Sequence, residues 1–425
     1  MLTDIFYACK NFYTIKKKEF YSREKLKDYQ WRRLKETLNF SYNFIPYYQE
    51  TYRKAGIHLQ DIQTWKDFER LPFLTKQIKR AISPDEFLPR TINKKKIWKT
   101  QTTGSSGIPI MVYRDSQSSS WDRALNHYCF SVVGIRFYHR FCQIVAAHSE
   151  KPHTPGPLAK FGLKRNFTVN LKQTDAEIVR QIQEIKPNVL WSFPSVFLKL
   201  AEFIRERNIR LNLHALIAQG EVLPEIWRST IENAFEAPLY HTYGATELAR
   251  IGFECAEQEG YHLITDAAVV EIIENEKAAS FHEEGELIVT NLNNYCSPLI
   301  RYQIGDRGSL SPFRCRCGIN YPLLKNITGR SDDFMILPSG ARISARAVTH
   351  LQFEGIIQYK IVQKSPSVLK VLIIPSSSFG IHTIRETEKV LRAALLNEPV
   401  EIKIIRMESL PVTQTGKLQL VTREF

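Results

Sequence analysis

The spacing of apolar residues divides the chain into alternating helices and short strands. Residues 22–55 read as a helix ending near Ile45-Pro46-Tyr47-Tyr48, with a turn at Ala55-Gly56 after it. Leu71-Pro72-Phe73-Leu74-Thr75-Lys76 reads as an extended segment entering a new helix, and Ile97-Trp98 as part of a strand. Thr174-Asp175-Ala176-Glu177 forms a capping box before the apolar stripe Ile178, Ile182 and Ile185, with Pro187 as the stop. Val189-Leu190-Trp191 is a short buried strand. Pro194 then opens a helix with Phe197, Leu200, Phe203 and Ile204 on one face. Short apolar strands alternating with such helices predict parallel βαβ units and an α/β fold.

Three later stretches fall where an α/β sheet places its ligands, at the carboxyl ends of strands. Leu216-Ile217-Ala218-Gln219 runs into a Gly220-Glu221 turn. Pro238-Leu239-Tyr240-His241-Thr242 leads to Tyr243-Gly244-Ala245-Thr246-Glu247. Leu299-Ile300-Arg301-Tyr302-Gln303-Ile304 ends in Gly305-Asp306. A carboxylate after a turn is also a common helix cap, so each stretch alone leaves that reading open. Beyond residue 333, Phe334-Met335-Ile336-Leu337 and the turn Pro338-Ser339-Gly340 begin a compact α+β segment. Its pieces are the strand Val368–Ile374, the helix Thr383–Leu396 and the strand Val400–Arg406.

Composition adds few constraints. The 425 residues exceed one average domain, and 43% hydrophobic with 24% charged residues describes a globular chain with ample core. No apolar run reaches the roughly 18 residues of a membrane span. Met1 to Ile15 carries Asp4, Lys10 and Asn11 among its apolar residues and is not a clean secretory signal. Seven cysteines without paired spacing argue for a reducing compartment, so a cytoplasmic location is expected.

Charge is less evenly spread. Of the net +14, residues 1–100 hold 22 Lys+Arg against 11 Asp+Glu, clustered sharply at Lys16-Lys17-Lys18 and Lys94-Lys95-Lys96. A solvated face is the favoured reading. Attraction to phosphate-rich ligands and peripheral contact with an anionic membrane are the alternatives. Phe6, Tyr7, Phe12 and Tyr13, just before Lys16, would suit a membrane-surface helix. Nucleic acid is not expected as a partner.

The stretch Thr102-Thr103-Gly104-Ser105-Ser106-Gly107-Ile108-Pro109 carries the first candidate chemistry. Small hydroxylated residues and glycines can turn several backbone N–H groups and hydroxyls toward one anion. No Gly-Lys-Ser/Thr closes it, so it is not the common NTPase loop. A polar surface loop is the competing reading.

Taken in order, this loop, the Tyr-Gly-x-Thr-Glu turn, the Tyr-x-x-Gly-Asp segment, Gly329-Arg330-Ser331-Asp332-Asp333 and Gly416-Lys417 resemble the adenylate-forming superfamily, the acyl-CoA synthetases and their relatives. Ile45-Pro46-Tyr47-Tyr48, Leu71–Lys76 and Pro298-Leu299-Ile300-Arg301-Tyr302 look like the phenylacetate–CoA ligase family, and within it the capsular-polysaccharide (CapK-like) branch. The resemblance spans about Leu34 to Lys417. One departure stands out: the lysine usual in the phosphate loop is replaced by Ile108.

The resemblance implies a large adenylation domain over residues 1–329, a hinge at 330–333 that includes Asp332, and a small mobile α+β domain over 334–425. It implies an AMP-forming acid–thiol ligase using ATP, Mg²⁺ and CoA. Thr102, Thr103, Gly104, Ser105, Ser106 and Gly107 would hold phosphates, and Glu247 would coordinate Mg²⁺. Thr246 would donate to the α-phosphate, and Tyr243 with Gly244 would face the adenine. Gly220 and Glu221 would line the acyl or adenine pocket. Asp306 would take the ribose hydroxyls, Arg330 ribose and phosphate, and Lys417 would bridge carboxylate and α-phosphate. Residues around Phe130–His148 and Trp191–Phe197 would wall the acid pocket. An amine or sugar acceptor, and a non-catalytic scaffold, are the alternative functions.

Cys315-Arg316-Cys317-Gly318 brings two thiols onto one turn, while Cys255 and His262 flank a stretch containing Gly260 that suits a hairpin. Some members of the resembled family carry a similar set, which implies a closed structural zinc site. Loop thiols with a strand-surface histidine remain the other reading.

Overall fold

The computed structural model describes residues 2–102, 110–146, 165–325, 327, 334–344, 346–349, 351 and 353–425. The expected hinge, with Arg330 and Asp332, and the loop residues Thr103, Gly104, Ser105, Ser106 and Gly107 lie outside them. Two compact units form, each from two stretches of chain: 1–134 with 242–327, and 135–241 with 328–425.

The parallel βαβ expectation is met in the second unit. Its strands Ala215–Gln219, Val189–Ser192, Phe141–Val145 and Asn166–Asn170 lie in that order and all pair parallel. The capping box at Thr174 is present, and the helix Asp175–Ile185 buries Ile178, Val179 and Ile182 against the sheet. Lys186, in the left-handed conformation, ends it just before Pro187. Pro194 is the first residue of the helix Pro194–Glu206, which buries Phe197, Leu200 and Ile204 in the same core. That core also takes Leu410 and Leu418 from the C-terminal segment.

The C-terminal α+β segment has a four-stranded sheet in the order Glu401–Arg406, Val368–Pro375, Ile356–Ser365, Val421–Arg423. The helix Ile381–Ala394 buries Leu391 in the same core as the sheet residues Val371 and Ile373.

In the first unit the sheet is antiparallel, which the apolar spacing did not announce. Ala268–Glu274, Gly285–Asn291, Tyr302–Ser311, Leu323–Lys325, Tyr261–Leu263 and Ala249–Phe253 pair in that order. Two local expectations change. The helix over 22–55 is two helices, Arg23–Phe44 and Pro46–Lys54, because Pro46 cannot donate to the ladder and starts a new helix instead. Gly305-Asp306 does not end a strand: it lies inside Tyr302–Ser311, where Gly305 at φ +80° takes up a register shift against Gly285–Asn291.

The three stretches that distinguish the phenylacetate–CoA ligase resemblance meet in this unit. Tyr48 Oη donates to the Pro298 carbonyl at 2.9 Å and accepts from Ile300 N at 3.1 Å. Leu74 N donates to the Arg301 carbonyl, and Gln303 N to the Leu74 carbonyl, both at 3.0 Å. Arg301 is buried, pairs with Glu271 at 2.9 Å, donates to the Leu71 carbonyl at 2.6 Å and lies over the Phe73 ring.

The basic N-terminus is only partly a solvated face. Phe6, Tyr7 and Tyr13 are exposed on the helix Leu2–Lys16, and Lys94–Lys96 form an exposed 3-10 turn. Lys18, however, is buried 2.5 Å from Asp266, with its ammonium 3.9 Å from the Tyr29 ring centroid. Burial pulls the Lys18 pKa down and pushes that of Asp266 up, each opposed by the other's charge. Removing one partner of such a pair costs about 3–5 kcal/mol, since the other charge stays buried alone. Lys18→Met and Asp266→Asn should each lower the urea midpoint. The double variant should recover much of the loss; additive losses in that cycle would show the pair to be uncoupled.

Candidate functional site

Trp98–Gln101 and Met111–Arg114 form an antiparallel hairpin whose connection is the hydroxyl- and glycine-rich loop. Thr102 closes its neck. Its N–H donates to the Ile110 carbonyl at 3.0 Å, and its Oγ1 accepts from Ile110 N at 2.9 Å. Thr102 therefore fixes the loop's base, whereas the rest of the expected phosphate-binding set, Thr103 to Gly107, lies outside the described residues.

The end of the strand Leu239–Ala245, in the first unit from Thr242 on, delivers Tyr243 and Gly244 to the turn that carries Thr246 and Glu247. Gly244 has no room for a side chain, because a Cβ there would lie 2.2 Å from the Ala249 carbonyl oxygen. The Thr246 carbonyl accepts from Arg114 at 2.8 Å, and Arg114 is held in turn by Asp122 at 2.6 Å. Two phenols orient the two acids. Tyr243 Oη donates to Asp306 Oδ2 at 2.8 Å, and Tyr302 Oη donates to Glu247 Oε1 at 3.0 Å. Burial, and then the neighbouring Asp306 charge, push the Tyr243 pKa well above its ordinary value, so the phenol remains a donor. Glu247, Tyr302, Ile110, Val112 and Leu299 line one cavity, and Lys79 shares its lining.

In the second unit, Gly220 and Glu221 follow the strand Ala215–Gln219. Gly220 sits at φ +79°, and a Cβ there would fall 3.1 Å from Lys417 Cε and 3.2 Å from both Lys417 Nζ and Phe193 Cε1. Glycine suits this strand end chiefly through its positive φ, and it leaves the end of the Lys417 side chain uncrowded. Glu221 accepts from Ser195 N and Oγ, both at 3.0 Å, and from Leu418 N at 2.6 Å. Burial raises its pKa to about 7, with those three hydrogen bonds and then the Lys417 charge opposing the rise. The turn before Lys417 is closed by Thr413, whose Oγ1 accepts from Lys417 N at 3.1 Å and whose N–H donates to the Lys417 carbonyl at 2.9 Å. Gln358 donates to the Ser195 carbonyl at 2.6 Å.

Of the expected acid-pocket wall, Phe193 borders Gly220, while Phe197 is buried against Phe235, ring centroids 5.8 Å apart. His148 lies outside the described residues.

The cysteine and histidine residues converge within the first unit. Ala249–Phe253 and Tyr261–Leu263 form the expected hairpin, with Phe253 opposite His262. The ligand atoms of Cys255, His262, Cys315 and Cys317 all lie within 4.8 Å of one another. Cys255 Sγ is 3.5 Å from Cys315 Sγ, and Cys317 Sγ is 3.3 Å from His262 Nε2. Arg316 ties the same two loops together through Glu259 at 2.6 Å and Glu257 at 3.3 Å. Burial pushes the three thiols up, Cys315 to about 11, and lowers His262 to about 4, so its imidazole is neutral.

Ser195 and Gln358, which position Glu221, and Lys79 were not legible as site residues. Ser195 sits at a helix start after Pro194, a place that fits ordinary capping, and nothing in the spacing separates Lys79 from a surface lysine. Tyr302 belongs to a recognisable stretch, but its bond to Glu247 depends on folding.

No family model matches the chain. It is 25% identical over 333 residues to a phenylacetate-coenzyme A ligase of Thermus thermophilus, covering 74% of this chain and 72% of that one. It is 26% identical over 321 residues to protein CapK of Staphylococcus aureus, covering 72% and 68%. A 2-hydroxyisobutyryl-CoA ligase, solved in the postadenylation state with R3-HIB-AMP, superposes with a TM-score of 0.79 at 20% identity, covering 96% of this chain and 91% of that one. In sequence the chain is similar to phenylacetate–CoA ligases, and its fold is that of the solved 2-hydroxyisobutyryl-CoA ligase.

Proposed function

We propose that the protein activates a carboxylic acid with ATP and transfers the acyl group to CoA. The observation that carries this reading is the seating of Lys417 at the Gly220 turn, fixed by Glu221, Ser195 and Thr413. A carboxylate is a poor electrophile. Its oxygen would attack the α-phosphorus, breaking the bond to the β-phosphate and releasing pyrophosphate; the thiol sulfur would then take the acyl carbon and AMP would leave. An ammonium held in place, at no reorganisation cost, is suited to bridging the two anions of the first step. The relatives named phenylacetate-coenzyme A ligase support the thiol acceptor.

The remaining roles follow the resemblance. Glu247 would hold Mg²⁺, and an oxygen donor on a cavity wall is what that cation prefers. When bound, the metal screens the charge between the two anions. Thr246 would donate to the α-phosphate, and Gly244 would keep the adenine face open. Tyr243 would pack on the adenine while directing Asp306 toward the ribose, a task their hydrogen bond favours. Thr102 would set the neck from which Thr103 to Gly107 reach phosphate. Arg330 would contact ribose and phosphate, and residues 334–425 would move about Asp332 between the two steps. The exposed Phe6, Tyr7 and Tyr13 beside the basic cluster support peripheral membrane contact.

The same reading includes a structural zinc ion. Three thiols and one neutral imidazole, mutually within 4.8 Å, form a donor set suited to closed tetrahedral coordination, with no position left for catalysis. It would pin the loop after Tyr302–Ser311 to the hairpin containing His262.

Lys417→Ala should reduce pyrophosphate release from acid and ATP by about 10²–10³-fold while sparing thioester formation from supplied acyl-adenylate. Equal loss in both assays would remove Lys417 from its proposed role. Pyrophosphate release over a panel of carboxylic acids, with and without CoA, tests the overall reading. Release that never yields a thioester would exclude CoA as acceptor. For Glu247→Gln, Mg²⁺-dependent turnover should disappear with an unchanged circular dichroism spectrum, since an amide binds Mg²⁺ far more weakly than a carboxylate. Metal analysis of protein never exposed to chelator should find about one zinc per chain for a four-ligand site, and Cys315→Ser should lower it. Zinc well below one equivalent would sink that assignment.

A further inference from the structure

The outward face of the first helix carries chemistry that none of the catalytic roles uses. Beyond Leu2–Lys16 the backbone stays coiled for two more residues: Lys17 N donates to the Tyr13 carbonyl and Lys18 N to the Ile15 carbonyl, both at 3.0 Å. Positions four and seven apart share a face of such a helix. Phe6, Lys10, Tyr13, Lys17 and Phe20 accordingly form one exposed strip, with the three rings 66%, 70% and 63% exposed. From Phe6 to Phe20 the sequence holds one carboxylate, Glu19. It is buried, accepts from Tyr128 Oη at 3.0 Å and pairs with Lys16 at 2.7 Å. The strip is aromatic and cationic, with no acid on it.

The opposite side is firmly held. Ala8 and Ile15 are buried, Asn11 donates to Ser120 Oγ at 3.2 Å, and Lys18 is buried against Asp266. Asn320 N donates to the Glu19 carbonyl at 2.9 Å. These anchors fix which way round the helix lies, so the rings are held outward. Just beyond the strip, Arg23 donates to the carbonyls of Pro312 and Phe313 at 3.2 Å each, and the Phe313 ring is exposed as well. Single exposed apolar residues are ordinary, whereas a row of them marks a surface that another body covers.

Charge decides between the occupants. In a two-fold pairing of two copies the strip would meet itself, with Lys10 and Lys17 facing their own counterparts and no carboxylate to neutralise them. An anionic bilayer suits both components. Its phosphates attract the ammonium groups, and the boundary between headgroups and acyl chains takes up the rings. Tyr13 can bury its ring there and keep its hydroxyl among the headgroups.

We propose that this strip, extended by Phe313, is the surface through which the protein lays its first helix on an anionic phospholipid bilayer. The inference rests on the peripheral membrane contact proposed above and deepens it, naming the lipid class and the residues that meet it. It is independent of the ATP-dependent reaction.

The test floats the full-length protein with vesicles of phosphatidylcholine, alone or mixed with phosphatidylglycerol. The unsubstituted protein should float with the mixed vesicles, and high salt should release it. Lys10→Glu combined with Lys17→Glu should weaken that binding about tenfold or more, the loss expected for two cations beside an anionic leaflet. Phe6→Gln, Phe20→Gln and Phe313→Gln together should weaken it by about the same factor, through lost apolar burial. Both variants should keep their thermal midpoint, because every substituted side chain is exposed. Ile381→Gln, at an exposed apolar residue of the second unit, should bind vesicles as the unsubstituted protein does. Unchanged vesicle binding in either multiple variant overturns the proposal, as does an equal loss in Ile381→Gln. Dimers that the aromatic variant converts to monomers would assign the strip to a second copy. Tighter binding of a single-stranded oligonucleotide than of the mixed vesicles, lost in the same variants, would assign it to nucleic acid. Either result overturns the bilayer. Unsubstituted protein that floats with neither vesicle overturns the membrane reading itself, a result distinct from failure of the strip.

Discussion

One carboxylate organises the second unit. Glu221 accepts two hydrogen bonds from Ser195, at the start of a helix, and one from Leu418, next to the C-terminal lysine. Without that acceptor, Leu418 N would lose a hydrogen bond, and the segment around it would rest chiefly on apolar contacts such as those of Leu410, Leu418 and Leu420. Apolar burial is not directional. It can hold the segment down, but it cannot choose which residue faces Gly220. The carboxyl acceptor makes that choice, and Gln358 reinforces it by binding the carbonyl of the same serine.

The first unit solves a related problem with phenols. Asp306 and Glu247 would each turn freely if only solvent met them. Tyr243 and Tyr302 hold one oxygen of each, and both tyrosines are buried and thus restricted in rotation. In each acid, then, part of the ordering entropy is spent during folding rather than at the arrival of a ligand.

Much of this was legible before folding. Thr174, Pro187 and Pro194 mark helix ends through local chemistry, and the apolar runs at Val189 and Leu216 mark buried parallel strands. The residues of the five recognisable stretches were found because each combines a turn with a chemically distinctive side chain. What stayed hidden depends on long-range pairing. The Tyr302–Glu247 bond spans 55 residues, and Lys18 reads as surface until Asp266 is brought beneath it. The helix break at Pro46 was a matter of local chemistry that could be read either way, as an end or as a new beginning. The antiparallel pairing in the first unit escaped notice because buried positions do not alternate regularly along its strands, as in Ala268–Glu274 and Gly285–Asn291.

The neck formed by Thr102 and Ile110 also bears on how the loop could diversify. Its paired backbone and threonine hydroxyl fix the two ends of the seven residues 103–109, whatever those residues are. The hairpin register is therefore insulated from the loop's sequence. Substitutions within 103–109, Ile108 among them, would leave the strands Trp98–Gln101 and Met111–Arg114 their pairing, so this stretch can vary in sequence without endangering the fold.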